Sequence, residues 1–180
     1  KGVTQMDVIE PIRKRYSVRK YLDEPVPEEK LLRIMEAARL APSASNTQEW
    51  RFVLVADAAK REALCKAAQG QPFVREAPVV IVACAQTDQR VMSCGQCAYT
   101  IDVAIALEHI ALQAAAEDLG TCWVGAFSED EARKVIGAPD DVRIVQLMTL
   151  GFPAMGSRAK SRKELSEIIM YEQWGGSKPG

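Results

Sequence analysis

Two short basic segments are the residues whose types and spacing suggest chemistry most directly. Five of the eight residues at 13–20 are basic, as are four of the six at 158–163. Without these nine side chains the sequence holds 14 basic and 24 acidic residues, a charge of −10. Concentrated basic segments on an acidic chain suit a small, localised anion, whereas a DNA-binding face needs a broader basic stripe. Solvated surface charge is the alternative interpretation.

The first basic segment has the alternation of an extended strand. In extended backbone, Arg15, Ser17 and Arg19 point to one side. Tyr16 and Val18 point to the other side. Two guanidinium groups and a hydroxyl on one face can bind a phosphate or the polar edge of a ring, because Arg forms forked, charge-assisted hydrogen bonds.

A loop of small polar residues lies further along the chain. Residues 41–50, with the sequence APSASNTQEW, separate a predicted helix from a predicted strand. Such a loop can present hydroxyls, amides and backbone N–H groups to a planar polar ligand. An ordinary connection between a helix and a strand has the same composition, so the loop alone does not define a site.

Several other kinds of site are disfavoured. His109 is the only histidine, so histidine-based zinc sites and Ser-His or Cys-His triads lack their central residue. The sequence has neither a GxGxxG loop nor a GxxxxGKS/T loop for phosphate. Cys94 and Cys97 form a CxxC motif, which could be a redox pair or half of a metal site. Because a second CxxC is missing, we interpret them as thiols near a helix start and expect no metal.

The elements that must position these residues alternate along the chain. A helix begins after Pro27 and ends before Pro42, since the residue before a proline disfavours helical backbone. Short β-branched runs predict buried strands at residues 51–56, 78–85, 121–126 and 143–150, and helical patterns lie at 58–69, 97–119 and 129–136. This alternation predicts α/β or α+β layering around one sheet, in a single domain over residues 1–180.

Size and composition set the class of protein. The 180 residues are 48% hydrophobic and 26% charged, as in a globular domain with a real core. No apolar run reaches the ~18–20 residues of a membrane span, and the first ten residues lack the apolar region of a signal peptide. Five cysteines, an odd number, suit cytosolic thiols better than a disulfide framework. We therefore expect a cytoplasmic protein without a membrane or nucleic-acid partner.

The predicted helix at 97–119 is apolar on most of its surface. Asp102, His109, Gln113 and Glu117 share one polar stripe, and apolar residues cover most of the remainder. A helix of this kind must be buried nearly all round, which in a domain of this size favours a central position or a partner subunit. Its many alanines favour close helix approach, so we predict a homodimer core.

Four motifs together resemble those of the nitroreductase family of FMN-dependent oxidoreductases. They are RYSVRKY at 15–21, APSASNTQEWRFV at 41–53, GTCWVGAF at 120–127 and KSR at 160–162. The match runs in order from about residue 7 to residue 174, nearly the whole chain. The resemblance implies an α+β fold of three layers, α/β/α-like, with a central mixed β-sheet flanked by helices. It also implies an intertwined homodimer with FMN at each subunit interface.

The activity that the resemblance implies is carried by the cofactor. NADH or NADPH would transfer hydride to FMN and be replaced by a small-molecule electron acceptor in the same pocket, in a ping-pong mechanism. The family's acceptors include nitroaromatics, quinones and other conjugated electrophiles. No catalytic side chain is required, in keeping with a sequence that has one histidine.

The resemblance also assigns cofactor-binding residues. In one group, Arg15, Ser17, Lys160 and Arg162 resemble phosphate ligands of FMN, Tyr16 belongs to the same motif, and Arg19 matches the basic residue at the pyrimidine edge of the flavin. In the other group, Pro42, Ser43, Ala44 and Asn46 match the loop that the partner subunit lends to that flavin, and Gly125 and Ala126 match the backbone beside its N5 atom. The tail at about 165–174 is expected to extend over the partner, with Trp174 across the interface.

Two departures from the family pattern concern the pocket. Glu49 stands where the family often has proline, and the helical excursion that roofs the site in larger members is reduced to residues 86–96. Two other functions remain open at this point. The chain could be a flavin-binding sensor or carrier with little turnover, or a nucleotide- or anion-binding module without flavin.

Overall fold

The computed structural model describes residues 7–157 and 160–178 of the protein. Within them the helices are α1 (Ile9–Lys14), α2 (Glu28–Arg39), α3 (Ala58–Ala67), α4 (Pro72–Glu76), α5 (Ala98–Ala116), α6 (Glu129–Ile136) and α7 (Leu165–Ile168). The strands are β1 (Trp50–Val55), β2 (Val79–Gln86), β3 (Gly120–Val124) and β4 (Val142–Gly151), and a short 3₁₀ turn covers Ala44–Asn46. No helix of this described part is long and apolar enough to cross a membrane.

The four strands form one sheet in the order β1-β2-β4-β3. All three strand pairs are antiparallel, so the sheet differs from the mixed sheet expected. The reason is visible between β1 and β2, where Val55 pairs with Val80. The chain leaves and re-enters the sheet at the same end, because α3 and α4 together bring it back where it left. A parallel bridge joins Ser17 to Thr121 at the β3 edge.

Helices cover both faces of the sheet, which confirms the α+β class and the three layers. Seven of the eight residues of β2 are buried, and they alternate between two cores. Ile81 and Ala83 pack in the core that also contains residues of α2 and α5. Val80 and Val82 pack in the core that also contains residues of α3, α4 and α6. The apolar run in β2 is therefore continuous because both of its faces are covered.

Local signals define the helix ends. Ser128 Oγ accepts a hydrogen bond from Glu131 N at 3.3 Å, which caps α6 at the start of the predicted helical pattern. At the other end Gly137 adopts a left-handed conformation with φ of 66°, which favours glycine and ends the helix. The helix α2 begins directly after Pro27 and ends at Arg39, as predicted from the prolines around it.

The longest helix, α5, lies between the sheet and α2. Its apolar residues pack in the first core, and its polar stripe is also used inside the chain. His109 Nδ1 lies 3.1 Å from the carbonyl oxygen of Ala37 on α2, and Asp102 is buried against the loop after α2. Part of α5 faces outward, with Ile101 40% exposed. One chain therefore buries most of this helix, but not all of it.

Candidate functional site

Residues 15–20 of the first basic segment are held in an extended form along the edge of β3, after Arg13 and Lys14 end α1. Val18 N donates to the carbonyl oxygen of Thr121 at 2.9 Å, and the Val18 side chain is buried. Gly120 makes this approach possible, because a Cβ there would lie 2.3 Å from Val18 Cγ2. Ser17 and Arg19, on either side of Val18, are exposed, which confirms the predicted alternation at these three residues.

Arg15 lies where the chain leaves α1 and becomes extended. Its side chain is 24% exposed, and its Nε lies 3.4 Å from Glu108 Oε1 on α5. This Nε is buried and makes no hydrogen bond to any described residue. Glu108 therefore orients the guanidinium group electrostatically, without a hydrogen bond to its Nε–H.

The second basic segment contacts the first one in space. Lys160 Nζ donates a hydrogen bond to the carbonyl oxygen of Arg13. Desolvation, together with the positive charges of Arg15 and Arg162, holds the pKa of Lys160 below its ordinary value. Lys160 thus lies close enough to Arg15 and Arg162 for both positive charges to act on it, although Arg15 is distant in the sequence. Arg158, at the start of this segment, lies outside the described residues.

A cleft of about 450 Å³ lies beside the extended part of the first basic segment. It is lined by residues 16–20 and 155–157, and a neighbouring cleft of about 390 Å³ includes Arg15 and Gly120. Tyr16 donates its hydroxyl hydrogen to the carbonyl oxygen of Met155, which joins the two walls of the first cleft. Partial burial raises the pKa of Tyr16, so its phenol stays protonated near neutral pH. The cleft combines the cationic side chains of Arg19 and Lys20 with a partly apolar wall.

The loop after α2 is built from hydrogen bonds among its own residues. Ser43 Oγ accepts from Gln48 N at 3.0 Å, and the Ala44 carbonyl oxygen accepts from Thr47 Oγ1 at 3.1 Å. Within the described part of the chain, the Ser43 hydroxyl hydrogen and the Asn46 side-chain NH₂ have no acceptor. The loop can therefore offer these two donors to a ligand, and the neighbouring Pro42 is exposed as well.

Glu49, the first departure from the family pattern, ties this loop to the sheet. Its Oε1 accepts from Thr87 Oγ1 at 3.1 Å, and its carbonyl oxygen accepts from Gln86 N at 2.9 Å. The second departure from the family pattern is the reduced excursion at residues 86–96. The stretch between Gln86 and Ala98 is described throughout and contains no helix.

Gly125 and Ala126 follow β3 and are exposed. The Ala126 carbonyl oxygen accepts from Gln71 Nε2 at 3.3 Å, at the start of α4. The Arg19 guanidinium lies 5.8 Å from the ring centre of Phe73 on the same helix. The short helix α4 thus supports both the backbone after β3 and the last arginine of the first basic segment.

The predicted residues fall into two spatial groups within one chain. Arg15, Tyr16, Ser17 and Arg19 line the two clefts, and Lys160 reaches the same end of the chain through its hydrogen bond to Arg13. Residues 42–46 line neither cleft and instead pack on α5 through Asp102. The helix α5 connects the two groups, because Glu108 faces Arg15 and Asp102 faces the loop.

The cysteines are not arranged around these groups as a metal site. All five are free, and no cluster of three metal-ligating side chains occurs among the residues described. Burial raises the pKa of Cys84 to about 11 and raises that of Cys122 as well, which keeps both thiols protonated. Cys94 is exposed in a tight turn closed by a bridge between Val91 and Cys97.

Comparison with known proteins identifies the family. The family model described as "Nitroreductase family" matches residues 12–73 and 66–152. The chain belongs to the nitroreductase family. A Thermus thermophilus protein named NADH dehydrogenase is 34% identical over 189 residues, covering 88% of this chain and 92% of that protein.

Solved structures of family members agree with the fold. A nitroreductase family protein from Clostridium novyi NT is 33% identical, with a TM-score of 0.78 over 96% of this chain and 97% of that one. The NADPH:FMN oxidoreductase from Vibrio harveyi, solved in complex with NAD+, is 25% identical. Its TM-score is 0.84, with coverage of 92% of this chain and 77% of that one.

Some residues of this nitroreductase-family site gave no functional signal in the sequence. Met155, Gly156 and Ser157 line the larger cleft, yet they belong to no motif that suggests binding. Glu108 and Gln71 orient site groups from helices that the sequence predicts only as packing elements. Asp102 belongs to the polar stripe of the predicted helix, but its contact with the loop after α2 joins residues 58 positions apart.

Proposed function

We propose that this chain is an FMN-dependent oxidoreductase that uses NADH or NADPH as its electron donor. The acceptors would be nitroaromatics, quinones or other conjugated electrophiles, which replace the nicotinamide in one pocket by a ping-pong mechanism. The names of family members support the donor and the cofactor, since one is an NADH dehydrogenase and another an NADPH:FMN oxidoreductase. Five free cysteines favour a reducing compartment, and we place the protein in the cytoplasm.

The observation that carries the proposal is the convergence of Arg15, Lys160 and Arg162. The pKa of Lys160 is lowered first by desolvation and then by the positive charges of Arg15 and Arg162, which its own ammonium group must lie beside. A phosphate dianion between them removes this repulsion and accepts charge-assisted hydrogen bonds. Such a cluster costs stability unless it serves an anionic ligand.

The residues present fit FMN. The buried Nε–H of Arg15 has no acceptor among the described residues, and a buried donor of this kind is satisfied by a ligand or by water. Lys160 adds a cation at the carbonyl oxygen of Arg13, which lines the smaller cleft, and the charge of Arg162 acts on Lys160. Ser17 adds a hydroxyl on the extended segment that lines the larger of the two clefts. The adjoining cleft of about 450 Å³ is within the usual size of cofactor sites.

The protein itself would bind FMN, orient it and influence the charge of its ring. FMN, when bound, supplies hydride and electron transfer between the nicotinamide and the acceptor. Arg19 places a positive charge at the side of the cleft, where it favours an anionic ring over a neutral one. The exposed backbone of Gly125 and Ala126 carries small side chains, which allow a ring edge to approach closely.

We propose further that the site is shared between two subunits. Residues 42–46 lie outside both clefts of their own chain, in keeping with a loop that completes the site of a partner. Large apolar side chains are exposed on a single chain, among them Leu165 at 69%, Ile168 at 62% and Trp174 at 92%. An exposed apolar surface of this kind marks an interface, and a homodimer would cover it.

The cofactor assignment is tested by the colour and composition of the purified protein. We expect one FMN per chain and much weaker binding of riboflavin, because riboflavin lacks the phosphate. Each charge-assisted contact to the phosphate contributes about 1.5–3 kcal/mol. Equal affinity for FMN and riboflavin would contradict the assignment, and a colourless protein that binds other phosphates would favour an anion-binding module.

Turnover distinguishes an enzyme from a flavin-binding sensor or carrier. Stopped-flow mixing with NADH or NADPH would follow the loss of the oxidised flavin absorbance, and a panel of nitroaromatics and quinones would follow its return. We expect bleaching within seconds and parallel lines in double-reciprocal plots, as ping-pong kinetics require. A bound flavin that neither nucleotide reduces on this time scale would favour the sensor or carrier.

A further inference from the structure

Asp102 is a buried carboxylate to which the chemistry above gives no role. It lies near the start of α5, and only 3% of its surface is exposed. Both of its oxygens accept the backbone N–H of Ala44, Oδ1 at 3.1 Å and Oδ2 at 3.2 Å. Removing a charged group from water is costly, so a buried carboxylate held by one backbone N–H is an expensive way to attach a loop.

The loop that Asp102 holds is conformationally strained. Ser45, Asn46 and Gln48 have positive φ values of 53°, 56° and 51°, in the left-handed region that residues other than glycine rarely adopt. Such backbone persists only where its surroundings impose it. Most hydrogen bonds of the loop are internal, and they fix its shape without fixing its place on the protein.

We propose that Asp102 is a positioning residue for the cofactor, acting through the loop at 42–46. The carboxylate fixes the loop against α5 at Ala44. It thereby directs the free donors of Ser43 and Asn46 outward, toward the flavin that the partner subunit binds. This inference rests on the proposed function, because the loop serves a flavin only if FMN binds.

The geometry also defines what Ala44 contributes. Its N–H is used by Asp102, and its carbonyl oxygen accepts from Thr47. Neither backbone group is therefore free for a ligand, although the family resemblance places Ala44 at the flavin. Ala44 instead links Asp102 to the flanking ligand residues Ser43 and Asn46, and its small side chain leaves room beside them.

Three variants separate the hydrogen bond from the charge. Asp102→Asn keeps a carbonyl oxygen that can accept from Ala44 N, whereas Asp102→Ala removes the acceptor. Asp102→Ser keeps a polar group but is too short to reach Ala44, and it replaces the alanine variant if that one does not fold. Thr149→Val is the matched control, because it removes another fully buried polar group, one that bonds Tyr21 and not the loop.

Two measurements are made on the full-length protein. Amide hydrogen exchange at Ala44, without FMN, reports on the hydrogen bond from Ala44 N to Asp102. We expect the Ala44 amide to exchange at least about tenfold faster in the alanine or serine variant. FMN titration should give a dissociation constant raised about tenfold in the same variant, with an altered visible circular dichroism of the flavin at saturation. Asp102→Asn should restore both values to within about threefold of the original protein, and Thr149→Val should leave the exchange rate at Ala44 unchanged.

The possible outcomes distinguish a failure of the positioning role of Asp102 from a failure of the proposed function. Unchanged exchange at Ala44, or unchanged FMN affinity with faster exchange, would overturn the positioning role. Equally faster exchange at Ala44 in Thr149→Val would overturn it too, since this would trace the effect to general destabilisation. An original protein that binds no FMN would instead overturn the proposed function, while exchange at Ala44 would still test the attachment of the loop by Asp102.

Discussion

Arg162 is the most direct test of the phosphate site at the level of single residues. Its side chain is exposed and donates to the neighbouring carbonyl oxygen of Ser161 at 2.7 Å, so it contributes nothing to the core. Removing it in Arg162→Ala should raise the dissociation constant of FMN about 10- to 100-fold, the value of one charge-assisted contact. Fluorescence titration of the apoprotein with FMN measures this change.

Lys163→Ala is the matched control for that variant. It removes a neighbouring exposed cation that carries no assignment to the phosphate, so FMN affinity should change by less than about threefold. Thermal unfolding of both apoproteins should match that of the original chain. An Arg162→Ala protein that kept the original FMN affinity would argue against this assignment.

We expect ionised Glu129 to stabilise the folded protein, and we expect this stabilisation to be lost at acidic pH. Its Oε1 accepts from Arg143 Nε, Arg133 Nη2 and the Ile144 N–H, each at 2.9 Å. The Arg143 hydrogen bond is the largest cause that holds the Glu129 pKa below its ordinary value of 4.5. A carboxyl whose pKa is lowered by folding stabilises the folded state above the unfolded pKa. That stabilisation disappears as the pH falls below about 4.5 through the folded pKa.

Glu129→Gln measures this contribution by denaturant unfolding across a pH series. At pH 7 it should lower the free energy of unfolding by about 1–3 kcal/mol, and the difference should shrink toward pH 3. Glu131→Gln changes an exposed carboxylate in the same turn of α6, so it should have a much smaller effect. A difference that stayed constant from pH 7 to pH 3 would contradict the assigned ionisation.

At the scale of elements, the fit of the first basic segment against β3 depends on Gly120. A methyl group there would lie 2.3 Å from Val18 Cγ2 and 3.1 Å from Pro153 Cγ, so the segment would have to shift. We expect Gly120→Ala to lower the free energy of unfolding by about 1–3 kcal/mol and to weaken FMN binding, because Val18 lies between Ser17 and Arg19. Gly125→Ala is the control for stability, since its nearest contact would be Gln146 at 3.8 Å. Equal unfolding midpoints for the two variants would contradict this account.

Elements that arise from local signals were predictable from the sequence. The helix α6 begins and ends where its N-cap serine and its C-terminal glycine place it, and Val18 turns inward as alternation requires. The antiparallel sheet was not predictable in the same way, because strand direction depends on where α3 and α4 return the chain. The loop at 42–48 was also beyond local reasoning, since three residues other than glycine adopt positive φ there.

At the scale of the whole molecule, the candidate site depends on contacts between distant parts of the sequence. Lys160 meets Arg13, and Asp102 meets Ala44, across separations of 147 and 58 residues. Composition predicted a localised anion site, and the family resemblance supplied the residues that would form it. The contacts that orient those residues, such as Glu108 with Arg15, follow only from the packing of α5 against its neighbours.

The tail tests how the whole molecule is assembled. Residues from Leu165 to Trp174 pack little on their own chain, and Trp174 is 92% exposed. If they cover a partner, deleting the chain from Leu165 onward should weaken dimerisation and FMN retention together, although Lys160 and Arg162 remain. Unfolding of the full-length protein should shift to higher temperature as its concentration rises, because dissociation accompanies unfolding in an obligate dimer.

Sedimentation velocity with detection of flavin absorbance follows mass and cofactor in one experiment, and Lys178→Ala, a change beyond the apolar tail, is the control. A folded, flavin-saturated monomer at micromolar concentration would overturn the shared site, because one chain would then supply every group that holds the cofactor.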